Sequence, residues 1–180
     1  IQSRTGIKIT KSKRAHIEGK LKKRARSLKF DSISEYGKMV FDQGGLKDEI
    51  EVLIHLATTN KTDFFREPVH FNLLEKKLVP QILSQRARNI TPRLKIWSAA
   101  ASNGAEAYTL AMVLKDLASV GPYFDFSVLG TDISSEMIIE ARRAIYPIGM
   151  MGPVPQDLQR RYFMQSRDKN GPSLVRVVPE

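Results

Sequence analysis

Two carboxylates flank a small-residue turn in residues 94–132. Glu106 follows the turn Ala100-Ala101-Ser102-Asn103-Gly104, and Asp132 follows an apolar run that ends in Gly130-Thr131. An acidic side chain at the end of the second strand of an open parallel sheet can accept both hydrogen bonds of a ribose diol. Small residues in the first turn let a ligand approach the backbone closely. The turn has one glycine, so no GxGxxG dinucleotide fingerprint is met, and no Gly-Lys-Ser/Thr marks a phosphate-cradling loop. Glu106 and Asp132 would repel a pyrophosphate but tolerate a cationic ligand such as S-adenosylmethionine. The competing explanation is structural. Glu106 would only stabilise a helix N-terminus through the helix dipole, and Asp132 would only precede a cap at Ser134. These residues alone leave both open.

A second constellation lies in Thr58 to Pro68. Its polar half has turn and cap chemistry. Phe64 and Phe65 can anchor the segment to a core, which leaves Arg66, Asn60 and Thr62 fixed at its surface. A guanidinium held by packed aromatics suits the positioning of a carboxylate. The plainer alternative is a linker with an apolar anchor. With no cysteine there is no disulfide framework and no thiolate chemistry, and His16, His55 and His70 are too scattered to suggest a metal site.

The elements that must carry these groups follow from periodicity. Leu94 to Ala99 and Phe126 to Gly130 read as buried strands, with Leu110, Val113, Leu114 and Leu117 on one face of the helix between them. Gly121-Pro122 ends that helix. Pro68 opens an earlier helix with Phe71, Leu74, Leu78 and Ile82 on its apolar side, and a polar loop spans 86–93. After Asp132, Ser134 is expected to cap a helix with Met137, Ile138, Ala141, Ala144 and Ile145 on one side, ended by Tyr146-Pro147. Residues 147–173 are rich in Pro and Gly, with a helical segment at Gln156 to Met164. Leu174 to Val178 reads as a strand. Two parallel strands make an incomplete sheet, so the chain is expected to be a fragment or to complete its sheet with a partner.

The net charge of +10 lies wholly in residues 1–30, which hold eleven Lys/Arg and one Glu. Residues 12–28 carry Ile17, Leu21, Ala25 and Leu28 on a narrow stripe of a basic helix. Ser32-x-x-Glu35 is a capping box for a second helix with Tyr36, Met39 and Val40. A third, Leu46 to about Ala57, presents Leu46, Ile50, Leu53, Ile54 and Ala57. This predicts a basic helical domain over 1–58 and an α/β domain over 59–180. Such a patch attracts nucleic acid, an anionic membrane surface or an acidic protein face. No aromatic precedes Phe30 for base stacking, so no nucleic-acid partner is expected. There is no run of ~18 apolar residues and no signal core. A cytoplasmic chain without membrane insertion is expected, and no oligomeric state is assigned.

Several of these pieces match one family. NxTxFFR (Asn60, Thr62, Phe64, Phe65, Arg66), IWSAAASNGAEAYTLAM, and TDIS with the later ARRAIY resemble the CheR-type chemotaxis receptor methyltransferases. KSKRAHIEGKLKKR followed by SISEY resembles that family's small helical domain. The resemblance covers nearly all of residues 7–178. It implies an α/β fold class: a small all-helical domain followed by a partial Rossmann-like methyltransferase domain with S-adenosyl-L-methionine as cofactor. The implied activity is methylation of chemoreceptor glutamates to glutamyl methyl esters. It also implies that Asn60, Thr62 and Arg66 lie against the cofactor near the reacting methyl, that Ala100 lines the site, and that Glu106 and Asp132 hold the cofactor, Asp132 on its ribose. Arg66 would orient the incoming carboxylate as the catalytic residue. Lys13, Arg14, Lys20, Lys22, Lys23, Arg24 and Arg26 would dock on acidic methylatable receptor helices. A carboxylate is already ionised near neutral pH, so no strong general base is needed, and alignment and desolvation carry the reaction.

Two departures bear on this. The family's Gly-Glu-Glu-Pro-Tyr is here Gly104-Ala105-Glu106-Ala107-Tyr108, which keeps the second Glu and loses the first and the Pro. The family's later cofactor loops are not matched, and the small β insertion that some members use for a receptor's tail peptide is expected to be missing. The isolated chain is therefore expected to bind cofactor weakly and turn over poorly. The alternative from another class is a non-catalytic module that binds a receptor or signalling partner, with a degenerate cofactor site.

Overall fold

The structure, a computed structural model, describes residues 6, 8–58, 60–85, 91–168 and 171–178. The chain divides into two compact units, Ile1–Thr59 with Ile133–Glu136, and Asn60–Asp132 with Met137–Glu180. Among the described residues no helix is long and apolar enough to cross a membrane. Of the polar loop expected at 86–93, residues 86–90 lie outside the described residues.

In the first unit, α1 (Lys11–Ser27), α2 (Ile33–Phe41) and α3 (Leu46–Ala57) enclose Ala25, Tyr36, Val40 and Leu53. Arg24 and Arg26 in the last turn of α1 complement its dipole. Ser32 Oγ accepts the Glu35 N–H at 3.1 Å, and Glu35 reaches back to the Asp31 N–H at 3.2 Å, which starts α2 as a capping box does. A charged residue stands in this core: Glu49 of α3 is only 5% exposed. Its carboxylate accepts Arg24 Nη2 at 2.6 Å, Arg24 Nε at 3.0 Å and Tyr36 Oη at 2.7 Å. Arg24's hydrogen bond holds Glu49 below the usual carboxylate range, whereas burial and then Glu49 itself push the Tyr36 hydroxyl up.

Two residues of the expected docking set, Arg24 and Lys20, have partners within this unit. Arg24 is committed to Glu49 because a buried carboxylate needs a cation. Lys20 Nζ donates to the carbonyls of Leu56 and Thr58 at 3.3 and 3.4 Å, at the C-terminal end of α3. In the 133–136 segment, Ser134 is buried with its Oγ 2.9 Å from His55 Nδ1, and Ser135 Oγ donates to Glu51 at 2.6 Å.

In the second unit, α4 (Pro68–Leu73), a π-helical turn (Leu74–Leu78) and α5 (Val79–Ser84) run continuously. The Val79 N–H reaches the Leu74 carbonyl, five residues back. Pro80 has no N–H and would clash with the carbonyl four residues before it, and a widened turn relieves this. The extra residue shifts the apolar face by one. Val79 is buried and Leu83 packs on the core, whereas Leu78 and Ile82, expected inside, are exposed.

β1 (Arg93–Ala99) and β2 (Asp125–Thr131) pair in parallel, joined by α6 (Ala105–Val120). One sheet face joins Val79, Leu94, Leu114 and Phe124 in a core. The other carries Trp97 and Leu129, register partners that are 69% and 62% exposed. The strands are therefore buried on one face, not both as expected, because a parallel strand is buried on both faces only where helices cover both.

α7 (Ser135–Arg143) stops at Ala144, whose φ of 54° is left-handed, so Ala144 and Ile145 do not extend the helix as expected. Ile145–Pro147 instead forms β3. A 3₁₀ turn (Ile148–Met151), α8 (Gln156–Tyr162), β4 (Phe163–Gln165) and β5 (Leu174–Val177) follow, with β3 and β4 each antiparallel to β5. A small antiparallel sheet is thus present where the sequence marked one strand, Leu174 to Val178. Two of its strands have three residues each, too few to show alternation among Pro and Gly. Phe64, Tyr146, Val154, Leu158, Val175 and Val177 form its core together with Ala105 and Met112 of α6.

Candidate active site

The parallel register pairs Ala99 with Thr131, so the 100–104 turn and Asp132 leave the sheet at the same end. The turn alternates into the left-handed region at Ala100 (φ 59°), Ser102 (φ 52°) and Gly104 (φ 88°). Gly104 is required twice over: its φ is positive, and a Cβ there would stand 2.8 Å from that of Ala141. Three backbone donors hold the turn. Ala101 N–H reaches Thr131 O at 2.8 Å, Gly104 N–H reaches Ala101 O at 2.9 Å, and Ser102 N–H reaches Asp132 Oδ2 at 2.9 Å. Asn103 Oδ1 accepts the Ala105 N–H at 3.3 Å as α6 begins.

Glu106, exposed in the first turn of α6, is oriented by the buried Ser98, whose Oγ donates to Oε1 at 2.6 Å. The sequence shows Ser98 as a polar residue inside an apolar strand run, a signal for a buried donor.

The Asn60–Arg66 segment is pinned to the same turn. Asn60's carbonyl accepts Ser102 Oγ at 2.9 Å. Phe64 is fully buried, edge-on to Tyr146 and Phe163 with centroids 4.9 and 5.2 Å away. The Phe65 N–H donates to Thr109 Oγ at 3.2 Å, and its ring lies 5.6 Å from that of Phe71. Arg66 is exposed, and its Nη1 donates to Lys61 O at 2.8 Å, which closes the segment on itself. Thr62 is half-buried within it. Tyr146 Oη donates to Asn103 O at 2.7 Å. Burial, then Tyr108 and Glu140, push this hydroxyl's pKa up, so it stays a donor.

Asn60, Ala100, Glu106 and Asp132 are thereby built around one turn at one end of the sheet, with Thr62 and Arg66 on the attached segment. Ser98, Ser102, Thr109 and Tyr146, which orient them, were not singled out from sequence. A groove of about 400 Å³ between α6, β2 and α7, lined by small residues such as Ala101, Gly104, Ala107 and Gly130, includes none of the six. Two of the six are carboxylates, Glu106 and Asp132, at a small-residue turn, a charge that suits a cationic ligand better than a pyrophosphate.

Residues 60–175 match the family described as CheR methyltransferase, SAM binding domain, and residues 1–58 match CheR methyltransferase, all-alpha domain. The chemotaxis protein methyltransferase of Borreliella burgdorferi is 34% identical over 164 residues, 91% of this chain and 58% of the relative. The probable chemotaxis protein methyltransferase of Rhizobium etli is 34% identical over 165 residues, 92% of this chain and 60% of the relative. The Escherichia coli chemotaxis protein methyltransferase is 36% identical over 183 residues, 100% of this chain and 59% of the relative. The chain spans about 58–60% of the length of these relatives. With both of its parts matched, the chain belongs to the CheR methyltransferase family.

Proposed function

We propose that this chain serves S-adenosylmethionine-dependent methylation of glutamate side chains of chemotaxis receptors in the cytoplasm, giving glutamyl methyl esters. Residues 1–58 act as the docking domain and 59–180 as the cofactor domain. The observation that carries this reading is the convergence of Asn60's carbonyl and Asp132 on Ser102, beside Glu106. S-adenosylmethionine, when bound, supplies an electrophilic methyl group on a cationic sulfur. Asp132 accepts hydrogen bonds from the ribose, and Glu106 adds a second carboxylate that favours a cationic ligand. Ala100 leaves the turn open to close approach. Asn60 and Thr62 line the side that the segment presents.

Arg66 keeps guanidinium donors beyond the one on Lys61. It orients the substrate carboxylate without a proton transfer, since that group is ionised near neutral pH. Rate then comes from alignment. Docking falls to the exposed Lys13, Arg14, Lys22, Lys23 and Arg26 of α1, which suit acidic receptor helices and lose affinity as salt rises. The β3–β5–β4 sheet, with β3 and β4 at its edges, is the element on which a receptor's tail peptide would add as a strand.

The test is calorimetric titration of S-adenosylhomocysteine into the chain, its Asp132→Ala variant and its Arg66→Ala variant. Saturable binding that Asp132→Ala abolishes is expected. Equal binding by Asp132→Ala, or none by the folded unmutated chain, would overturn the assignment.

A further inference from the structure

We infer that Ser102 is the positioning residue of this site, locking the Asn60–Arg66 segment and Asp132 into one arrangement before any ligand arrives; the inference rests on the proposed cofactor site. Ser102 is 6% exposed and sits in the left-handed region at φ 52°. Few non-glycine residues adopt that conformation without a reason, and the strain clusters at functional sites. Here it aims two donors in two directions from one residue. The backbone N–H reaches Asp132 Oδ2 and the side-chain Oγ reaches the Asn60 carbonyl, each at 2.9 Å.

The hydroxyl has one proton. Met137 Sδ, at 3.5 Å, is the weaker acceptor, so the proton goes to Asn60. A glycine would accept the same φ without strain, so conformation alone does not call for serine here. The hydroxyl does. At the far end of the segment, the Phe65 N–H on Thr109 Oγ makes a second attachment, and Arg66 on Lys61 O closes the piece between. The segment is thus held at both ends by hydroxyls, and of the two residues that supply them Ser102 also reaches Asp132. Preorganising both groups lowers the ordering cost of ligand binding.

Two variants separate hydroxyl from backbone. Ser102→Gly removes the hydroxyl and relieves the positive φ, so the fold is not weakened by strain. Ser102→Ala removes the hydroxyl and keeps the strain. Amide hydrogen exchange of the ligand-free chain reads the result. In both variants the amides of 60–66, with Phe65 as reporter, exchange about 5–10-fold faster, the loss of one hydrogen bond, while β1 and α6 are unchanged. S-adenosylhomocysteine affinity falls by a similar factor. Unchanged exchange in both variants, or faster exchange in Ser102→Gly alone, would show that the hydroxyl positions nothing. If Asp132→Ala leaves S-adenosylhomocysteine binding intact, the cofactor reading fails, and the exchange data still decide the role of Ser102.

Discussion

Two glutamates on helices illustrate opposite uses of a carboxylate. Glu49 is enclosed in the helical unit and meets a guanidinium through both oxygens, with a tyrosine hydroxyl added. Its charge is matched inside the protein. Glu106 is exposed at the start of α6 and is oriented by a neutral hydroxyl, Ser98 Oγ. Among the described residues it has no ion-pair partner. A carboxylate paired with arginine in a core holds helices together and has nothing left to offer. A carboxylate that is steered but not neutralised keeps its charge for a ligand. Both are acidic residues early in helices, and only their partners distinguish them.

The comparison can be broken most sharply at Glu49. Glu49→Ala strands Arg24 and the Tyr36 hydroxyl, and about 2–4 kcal/mol of stability should be lost in denaturant titration, the lower end reflecting Arg24's partial exposure. A loss under about 0.5 kcal/mol, the size of an ordinary surface change, would place Glu49 outside the core. The same group gives a pH signature. Its pKa is lowered on folding, so its contribution is present above the ordinary glutamate value of about 4.3 and disappears as the pH falls through the depressed one. Glu49→Gln should flatten that acid limb of the stability profile, and an unaltered limb would refute the linkage.

Glu106→Gln should reverse the pattern. Stability stays within about 0.5 kcal/mol while S-adenosylhomocysteine affinity falls about tenfold, the size of one charge-assisted contact. A stability loss comparable to that of Glu49→Ala would make Glu106 structural too. Ser98→Ala sharpens the point at smaller scale. With Glu106 retained but no longer steered, affinity should drop about threefold, less than the loss of the carboxylate itself. The smallest effect belongs to Lys22, whose exposed pair with Glu18 should leave the Tm of Lys22→Ala unchanged. Binding of that variant to an acidic receptor helix, followed against salt, should nonetheless weaken.

Much of this protein is legible one residue at a time. Periodicity marks the helices around Tyr36, Leu53 and Leu114, Ser32 and Glu35 mark a cap, and the order of strand, turn, helix and strand places Glu106 and Asp132 at one sheet end. These follow from local rules of spacing, capping and strand direction, which act within a few residues. Tertiary structure decided what depends on partners distant in sequence. Arg24 turned inward because Glu49, twenty-five residues away, needed a cation. The face of the helix after Pro68 slipped by one because Pro80 forced a π turn and Val79, not Leu78, met the core. Strands of three residues at Ile145 and Phe163 formed because Leu174–Val177 lay between them to complete their hydrogen bonds. Ser102 acquired its role only when Asn60 and Asp132, forty-two residues upstream and thirty downstream, arrived at its two donors. Composition and periodicity determine which residues are charged and where most helices and strands run, whereas burial at a given position, and a hydrogen bond between distant residues, are decided only once the fold has brought the partners together.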